Sequence, residues 1–259
     1  MSSPNIWTGV AARDWAELQE QSSLPLQGAA LAAGKVTRGT NMLDAGCGTG
    51  ILSVLARLRR AEVTAVDSSP AMLEVARERL PGCDVRQADL KALPFTDGSF
   101  DTVIAVNSTF FAPDVAGTVR ELARVARPGG RVVITSWGPL ERCQYTAVRQ
   151  AMEALGGERR AGPTSSVYAE PGMVEDVFGQ TGLRLVDRGE VTCIQAFPSA
   201  DVAWQAHSST GPTQAAMRAF GEAKVHATLQ AAERPFMRPD GTIRFENVFV
   251  WAAGENPSA

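Results

Sequence analysis

The residues best suited to chemistry in this chain are carboxylates and glycines at regular intervals. Asp44 stands two residues before a run of alternate glycines, Gly46, Gly48 and Gly50. An apolar stretch precedes the run, and Ile51, Leu52, Val54, Leu55 and Leu58 follow at helical spacing. The spacing therefore predicts a strand, a tight turn and a helix N-terminus. Glycines let a ligand lie against backbone with no Cβ in the way, and a helix start offers free N–H groups and partial positive charge. Asp67 lies 21 residues after Gly46 (67 − 46), at the end of the strand-like run Glu62–Val66. A carboxylate at a second strand tip can accept both hydroxyls of a ribose. It can equally serve the helix that Ser69-Pro70 would start. A third strand-like run ends near Asp89, and a fourth, Thr102–Val106, ends at Asn107. In open α/β sheets, ligands collect at such carboxyl ends. Asn107 either holds a ligand there or caps the next turn.

Other reactive side chains are sparse. Both histidines, His207 and His226, fall in a late helical region. His207 sits just before a predicted helix end, Ser208–Pro212, and is the candidate general base, a role that needs direct reach to an acceptor proton. His226 reads as surface or satisfied core. Tyr168 is a weaker catalytic candidate. The four cysteines are scattered without a C-x-x-C pair, which fits neither a disulfide framework nor a zinc site. No His/Asp cluster has metal-ligand spacing, so no metal is expected.

The strings around these residues are specific. Leu43-Asp44-Ala45-Gly46-Cys47-Gly48-Thr49-Gly50 resembles motif I of the class I S-adenosylmethionine (SAM) dependent methyltransferases. The dinucleotide fingerprint G-x-G-x-x-G would need a third glycine where Ile51 stands, which disfavours a nicotinamide enzyme. Asp67-Ser68-Ser69-Pro70-Ala71-Met72-Leu73 is similar to motif II. Asp89 through Leu93-Pro94-Phe95-Thr96-Asp97-Gly98-Ser99-Phe100-Asp101, and the stretch Arg127-Pro128-Gly129-Gly130-Arg131, also look like the family. The resemblance covers roughly residues 41–137. It is to the broad small-molecule group, ubiquinone/menaquinone-type and methyltransferase type 11-like.

The resemblance implies S-adenosyl-L-methionine as cofactor. It implies cofactor-binding roles for Asp44, Gly46, Cys47, Gly48, Asp67, Ser68, Met72, Ala88, Asp89, Leu90 and Asn107. In that scheme Asp67 binds ribose, Ser68 and Met72 flank sugar and adenine, and Asp89 with the Leu90 N–H meets the adenine edge. Backbone carbonyls at Ala105 to Asn107 would receive the ammonium of the methionine part. Asn107-Ser108-Thr109-Phe110 is not the N/D-P-P-Y-type motif of many base and protein amino-methyltransferases, which points to a small-molecule acceptor.

The elements that must position these residues follow from the pattern. A 259-residue chain with 44% hydrophobic residues can build one large α/β domain. The expected fold is a Rossmann-like, doubly wound, seven-stranded, mostly parallel sheet with a helical insert between the last two strands. Residues 1–34 are expected to form an N-terminal helical lid. Its stripe over residues 5–22 is Trp7, Val10, Ala11, Trp15 and Leu18, which could pack on the core edge or close the site. Residues 35–259 are expected to form the SAM-binding domain, with a helical substrate cap around 199–233. Residues 156–166 read as a loop.

The net charge of −3 and the lack of a basic stripe argue against nucleic acid. No run of about 20 apolar residues suggests a membrane span. A cytoplasmic protein is the default expectation, and a homodimer is compatible with it. The predicted function is methyl transfer from SAM to O, N or C of a quinone, phenol or specialised metabolite, by in-line displacement driven by proximity. Two alternatives stay open: cyclisation or decarboxylation on the same fold, and a non-catalytic SAM-binding subunit.

Overall fold

The computed structural model describes residues 9–156 and 167–257. Trp7 and the loop expected at 156–166, beyond Gly156, lie outside the described residues. Seven strands form one sheet in the order β3-β2-β1-β4-β5-β7-β6. They are β1 (Asn41–Ala45), β2 (Glu62–Asp67), β3 (Asp84–Gln87), β4 (Phe100–Ala105), β5 (Ala126–Trp137), β6 (Arg184–Phe197) and β7 (Ile243–Glu255). The first five run parallel, and β7 is antiparallel to both β5 and β6. The chain winds outward from β1 to β3, then returns to lay β4 on the other side of β1. That reversal opens a crevice at the tips of β1 and β4.

The two sheet faces are filled by alternate residues of the same strands. Leu43, Val103, Val132 and Ile134 pack with Val119 and Leu122 of α5 (Val115–Val125) and Val177 and Phe178 of α7 (Met173–Thr181). On the opposite face Met42, Ile104 and Val133 meet Ala30 and Leu31 of α2 (Leu24–Ala33) and Leu52 and Ala56 of α3 (Ile51–Leu58). Burying each such aliphatic side chain stabilises the fold by about 1.5–3 kcal/mol. Helix starts carry the caps the sequence offers. Ser69 Oγ accepts from Met72 N–H at the head of α4 (Pro70–Arg79), Asp114 accepts from Gly117 N–H at α5, and Ser199 accepts from Val202 N–H at α8 (Ala200–Ser208).

Three helices lie between β6 and β7: α8, α9 (Gly211–Phe220) and α10 (Glu222–Glu233). With α6 (Thr146–Ala154) they enclose a separate apolar cluster around Phe197, Val225, Leu229, Ile243 and Phe245.

Several expectations change. The helix expected over 5–22 is not one regular helix in its described part. It runs as α1 (Gly9–Asp14), a π-helical turn at Trp15–Gln19 and a 3-10 turn at Glu20–Ser23. The wider turn re-aims the side chains that follow, so Gln19 and Glu20 are buried, and in α1 ahead of it Val10 is 71% exposed. The face that packs is Ala12 and Ala16, against Met72 and Val75 of α4. The remainder of the 1–34 segment is not a lid in its packing, because Leu26, Ala30 and Leu31 of α2 are fully buried in the sheet layer. β5 begins at Ala126 and takes in residues 127–131. Gly129 N–H donates to Asn256 O and Asn256 N–H donates to Gly130 O, which ties the glycine turn to the chain's end.

Candidate active site

The site begins with the exit of β1. Asp44 is buried, and Ser53 Oγ of α3 donates to its carboxylate at 2.7 Å. Burial pushes its pKa to about 7, the Ser53 bond opposes this, and the nearby Asp67 charge adds to it. The glycine turn is then pinned to β2, because Gly46 and Cys47 both donate their N–H to Val66 O. Gly46 has φ +82°, and a Cβ there would lie 2.4 Å from the Ser108 Cβ. Gly48 differs: its φ is +54°, and a Cβ would meet nothing within 4 Å. The backbone at Gly48 thus presents an open cradle.

Asp67 stands at the rim of that cradle. One carboxylate oxygen accepts from Gly48 N–H at 2.9 Å and the other from Ser69 N–H at 2.8 Å. Burial raises its pKa, and these backbone donors pull against the shift. Ala88 N–H donates to Asp67 O, which brings the exit of β3 to the same rim. Leu90 reaches over the turn, with its Cδ1 3.6 Å from where a Gly46 Cβ would be. Asp89 is placed differently. Its exposed carboxylate accepts from Lys91 N–H and pairs with Lys91 Nζ at 3.4 Å. Ser68 is exposed at the rim, and its carbonyl accepts from Gln87. Met72 is buried under α1. The Cys47 thiol packs into the core beside Leu73 and Leu80, and burial pushes its pKa well above the usual thiol value, so its backbone rather than its sulfur faces the turn.

Across the crevice, Asn107 terminates β4 in the left-handed region, φ +51°, which Asn tolerates. Its N–H donates to Thr135 Oγ1, and Thr135 Oγ1 donates to its side-chain oxygen, both at 2.9 Å. Ser108 Oγ donates to Ala45 O at 2.7 Å and so joins the tips of β1 and β4.

Sequence reasoning missed three groups here. Ser108 was passed over as part of a non-matching motif. Glu20 is 3% exposed, accepts from Thr49 Oγ1 of the glycine turn and pairs with Arg79 of α4. A buried glutamate beside a buried glutamine inside a helical stripe would have been the only signal. Tyr145 and Glu233 are the third group, because they hold His207. His207 is 2% exposed, with Nδ1 3.1 Å from the Tyr145 hydroxyl and Nε2 2.9 Å from a Glu233 oxygen. His226 packs its ring on Trp204, and the Tyr168 hydroxyl is 2.6 Å from Thr109 Oγ1. Among the described residues, no group of three or more His, Cys, Asp or Glu could hold a metal, and no helix is long and apolar enough to cross a membrane.

The doubly wound sheet, the glycine cradle and the acid at the tip of β2 form the arrangement that nucleoside-binding α/β domains use. Residues 43–134 match the family model described as a methyltransferase domain. That stretch holds the glycine turn, Asp67 and the tips of β1 to β4, and it is similar to a methyltransferase domain. An uncharacterised protein of Mycobacterium tuberculosis is 35% identical over 130 residues, which is 49% of this chain and 47% of that one. A malonyl-acyl-carrier-protein O-methyltransferase of Halorhodospira halophila is 43% identical over 103 residues, 38% of this chain and 35% of that one. The chain therefore spans less than half the length of these curated relatives. Among solved structures, the cyclase SpnF shares the fold with a TM-score of 0.59 at 18% identity, covering 93% of this chain and 83% of that one.

Proposed function

We propose that this protein transfers a methyl group from S-adenosyl-L-methionine to a small-molecule acceptor. The observation that carries the reading is the open backbone at Gly48 with the Asp67 carboxylate 2.9 Å from its N–H. A ribose laid on that cradle would offer two hydroxyls to an acceptor-only group. The cofactor supplies a methyl on a positive sulfur, an electrophile that already has a good leaving group. The protein's part is alignment and exclusion of water. Asp44 would place negative charge beneath the cofactor's cationic end. The carbonyls at the tip of β4 would take its ammonium, with Asn107 held in place by Thr135. Ala88, the Leu90 N–H and Asp89 would border the adenine, and Asp89 would have to release Lys91 to do so. The helices α8 to α10 would cover the acceptor and set selectivity. Gly9–Ser23 would lie over the cofactor loop.

Isothermal titration with SAM, with NADH as control, tests the cofactor half. Saturable SAM binding that Asp67→Ala loses is the expected result, and absence of SAM binding by the folded protein overturns it. Product mass tests the chemical half: a gain of one methylene means methylation. The likeness to a cyclase supports one rival, turnover on the same fold with product mass unchanged.

A further inference from the structure

The cap cluster contains a polar set that its apolar surroundings do not require. His207 and Glu233 are 2% and 3% exposed, and their facing atoms, Nε2 and Oε1, are 2.9 Å apart. They are close but not aligned for a hydrogen bond, and neither atom has another hydrogen-bond partner among the described residues. The other ring nitrogen, Nδ1, lies 3.1 Å from the Tyr145 hydroxyl. Around them stand Phe197, Phe245, Val225 and Leu229. A buried ion pair in such a place is weak evidence for stability, because well-packed apolar residues of similar volume serve as well or better.

Two independent contacts place this set beside the methyl-transfer crevice. From one side, the Tyr145 ring stacks on Trp137 at 5.9 Å, and Trp137 ends β5 two residues after Thr135, the residue that holds Asn107. From the other side, Gln19 donates to Ala206 O, next to His207, while the adjoining Glu20 accepts from Thr49 of the glycine turn. Adjacent residues of the N-terminal segment thus touch both the glycine turn and the backbone next to His207.

We propose that Tyr145, His207 and Glu233 form a proton relay that activates a hydroxyl acceptor on a flat, apolar frame, held against the aromatic wall of Trp137, Tyr145 and Phe249. Tyr145 is the catalytic residue, and His207 and Glu233 are positioning residues. The proposal rests on the SAM-dependent reading above. In the step, an acceptor oxygen attacks the methyl carbon, the S–CH₃ bond breaks, and its electron pair stays on sulfur. The acceptor proton passes to Tyr145 Oη as the Tyr145 proton passes to His207 Nδ1. The Glu233 carboxylate, 2.9 Å from Nε2, balances the imidazolium that this step creates. Burial and the Glu233 charge hold Tyr145 as a neutral phenol, with Arg149 opposing, so its oxygen can gain a proton only as its own leaves. The aromatic wall, with Trp137 and Phe249 at 4.6 Å, favours a planar phenol or enol over an aliphatic alcohol.

The test uses the full chain loaded with S-adenosylhomocysteine and titrated with para-nitrophenol, whose anion absorbs in the visible. A relay makes the bound phenol ionise below its solution pKa by at least about one unit, a tenfold enrichment of anion. It does so without releasing a proton to unbuffered solution, because the proton stays on His207. Tyr145→Phe and His207→Gln should abolish that enrichment, and Glu233→Gln should weaken it. All three should bind SAM within about twofold of the parent. A fluorinated tyrosine at position 145 keeps the packing and should change the anion fraction in graded fashion, which guards against a variant that fails to fold. No saturable para-nitrophenol binding, or equal anion in Tyr145→Phe, overturns the relay while SAM binding stands. Loss of SAM binding by the parent protein overturns the reading beneath it instead.

Discussion

At the residue scale, the site depends on two kinds of constraint, backbone shape and buried charge. Gly46 is the sharper case of the first. Alanine there must adopt φ +82° and place its Cβ 2.4 Å from the Ser108 Cβ. Gly46→Ala should destabilise the protein by about 2–4 kcal/mol and weaken SAM binding, read from urea unfolding and calorimetry. Gly48→Ala carries strain without a clash, so it should cost about 1–2 kcal/mol of stability yet fill the cradle and weaken SAM binding. Asp44 is the case of charge. Its folded pKa of about 7 lies above the unfolded value of about 4, so the folded state holds the extra proton between those limits. Stability is therefore fully present below about pH 4 and falls, by roughly a few kcal/mol, as pH rises through about 7. The raised Asp67 has the same sign. A cationic ligand reverses the preference by favouring ionised Asp44. SAM affinity should thus climb as pH rises through about 7 and level off above about 8, with the slope lost in Asp44→Asn. Calorimetry across that range would refute the linkage if the parent protein were flat.

At the scale of elements, the N-terminal helical run behaves as two parts. α2 is core, whereas Gly9–Ser23 is fastened over the cofactor loop by Glu20. That carboxylate joins Thr49 on the glycine turn, Arg79 on α4 and its own segment. Removing one partner of a buried pair commonly costs about 3–5 kcal/mol, and Arg79 is partly exposed, so a smaller loss, about 2–3 kcal/mol, is expected for Glu20→Ala. Hydrogen exchange should show faster opening of residues 9–23 in the variant, with β1 and β4 unchanged. Uniform acceleration across the sheet would mean that Glu20 supports the whole fold and not this segment.

At the scale of the molecule, a central sheet filled on both faces carries a cap with its own apolar cluster. Phe197 and Phe245 belong to that cluster and are fully buried. Phe197→Ala should cost about 3–5 kcal/mol and loosen α8 to α10 before the parallel strands. SAM binding measured well below the unfolding transition should persist, because the groups proposed to hold it lie at the ends of β1 to β4. Loss of SAM binding in a folded Phe197→Ala protein would mean that cap and cradle form one cooperative unit.

How much of this was legible beforehand follows from how local each feature is. Asp44, Gly46, Gly48 and Asp67 could be read in order because each stands in a short contiguous string whose strand, turn and helix are set by local pattern. The seven strands and the helices between β6 and β7 were legible for the same reason. Boundaries shifted where distant backbone completed a ladder, as Asn256 did for Gly129 and Gly130. Side-chain convergence left no such trace. Glu20 meets Thr49 across 29 residues, Ser108 meets Ala45 across 63, and Tyr145 meets His207 across 62. The N-terminal run also departed from its regular stripe, because a π-helical turn rotated Gln19 and Glu20 into the protein. By itself the sequence determined the sheet and the cradle for the cofactor. Only tertiary structure decided which side chains meet around Glu20, Ser108 and His207, because those partners come from separate loops and helices that share no periodicity and meet only when the helices between β6 and β7 close their own core.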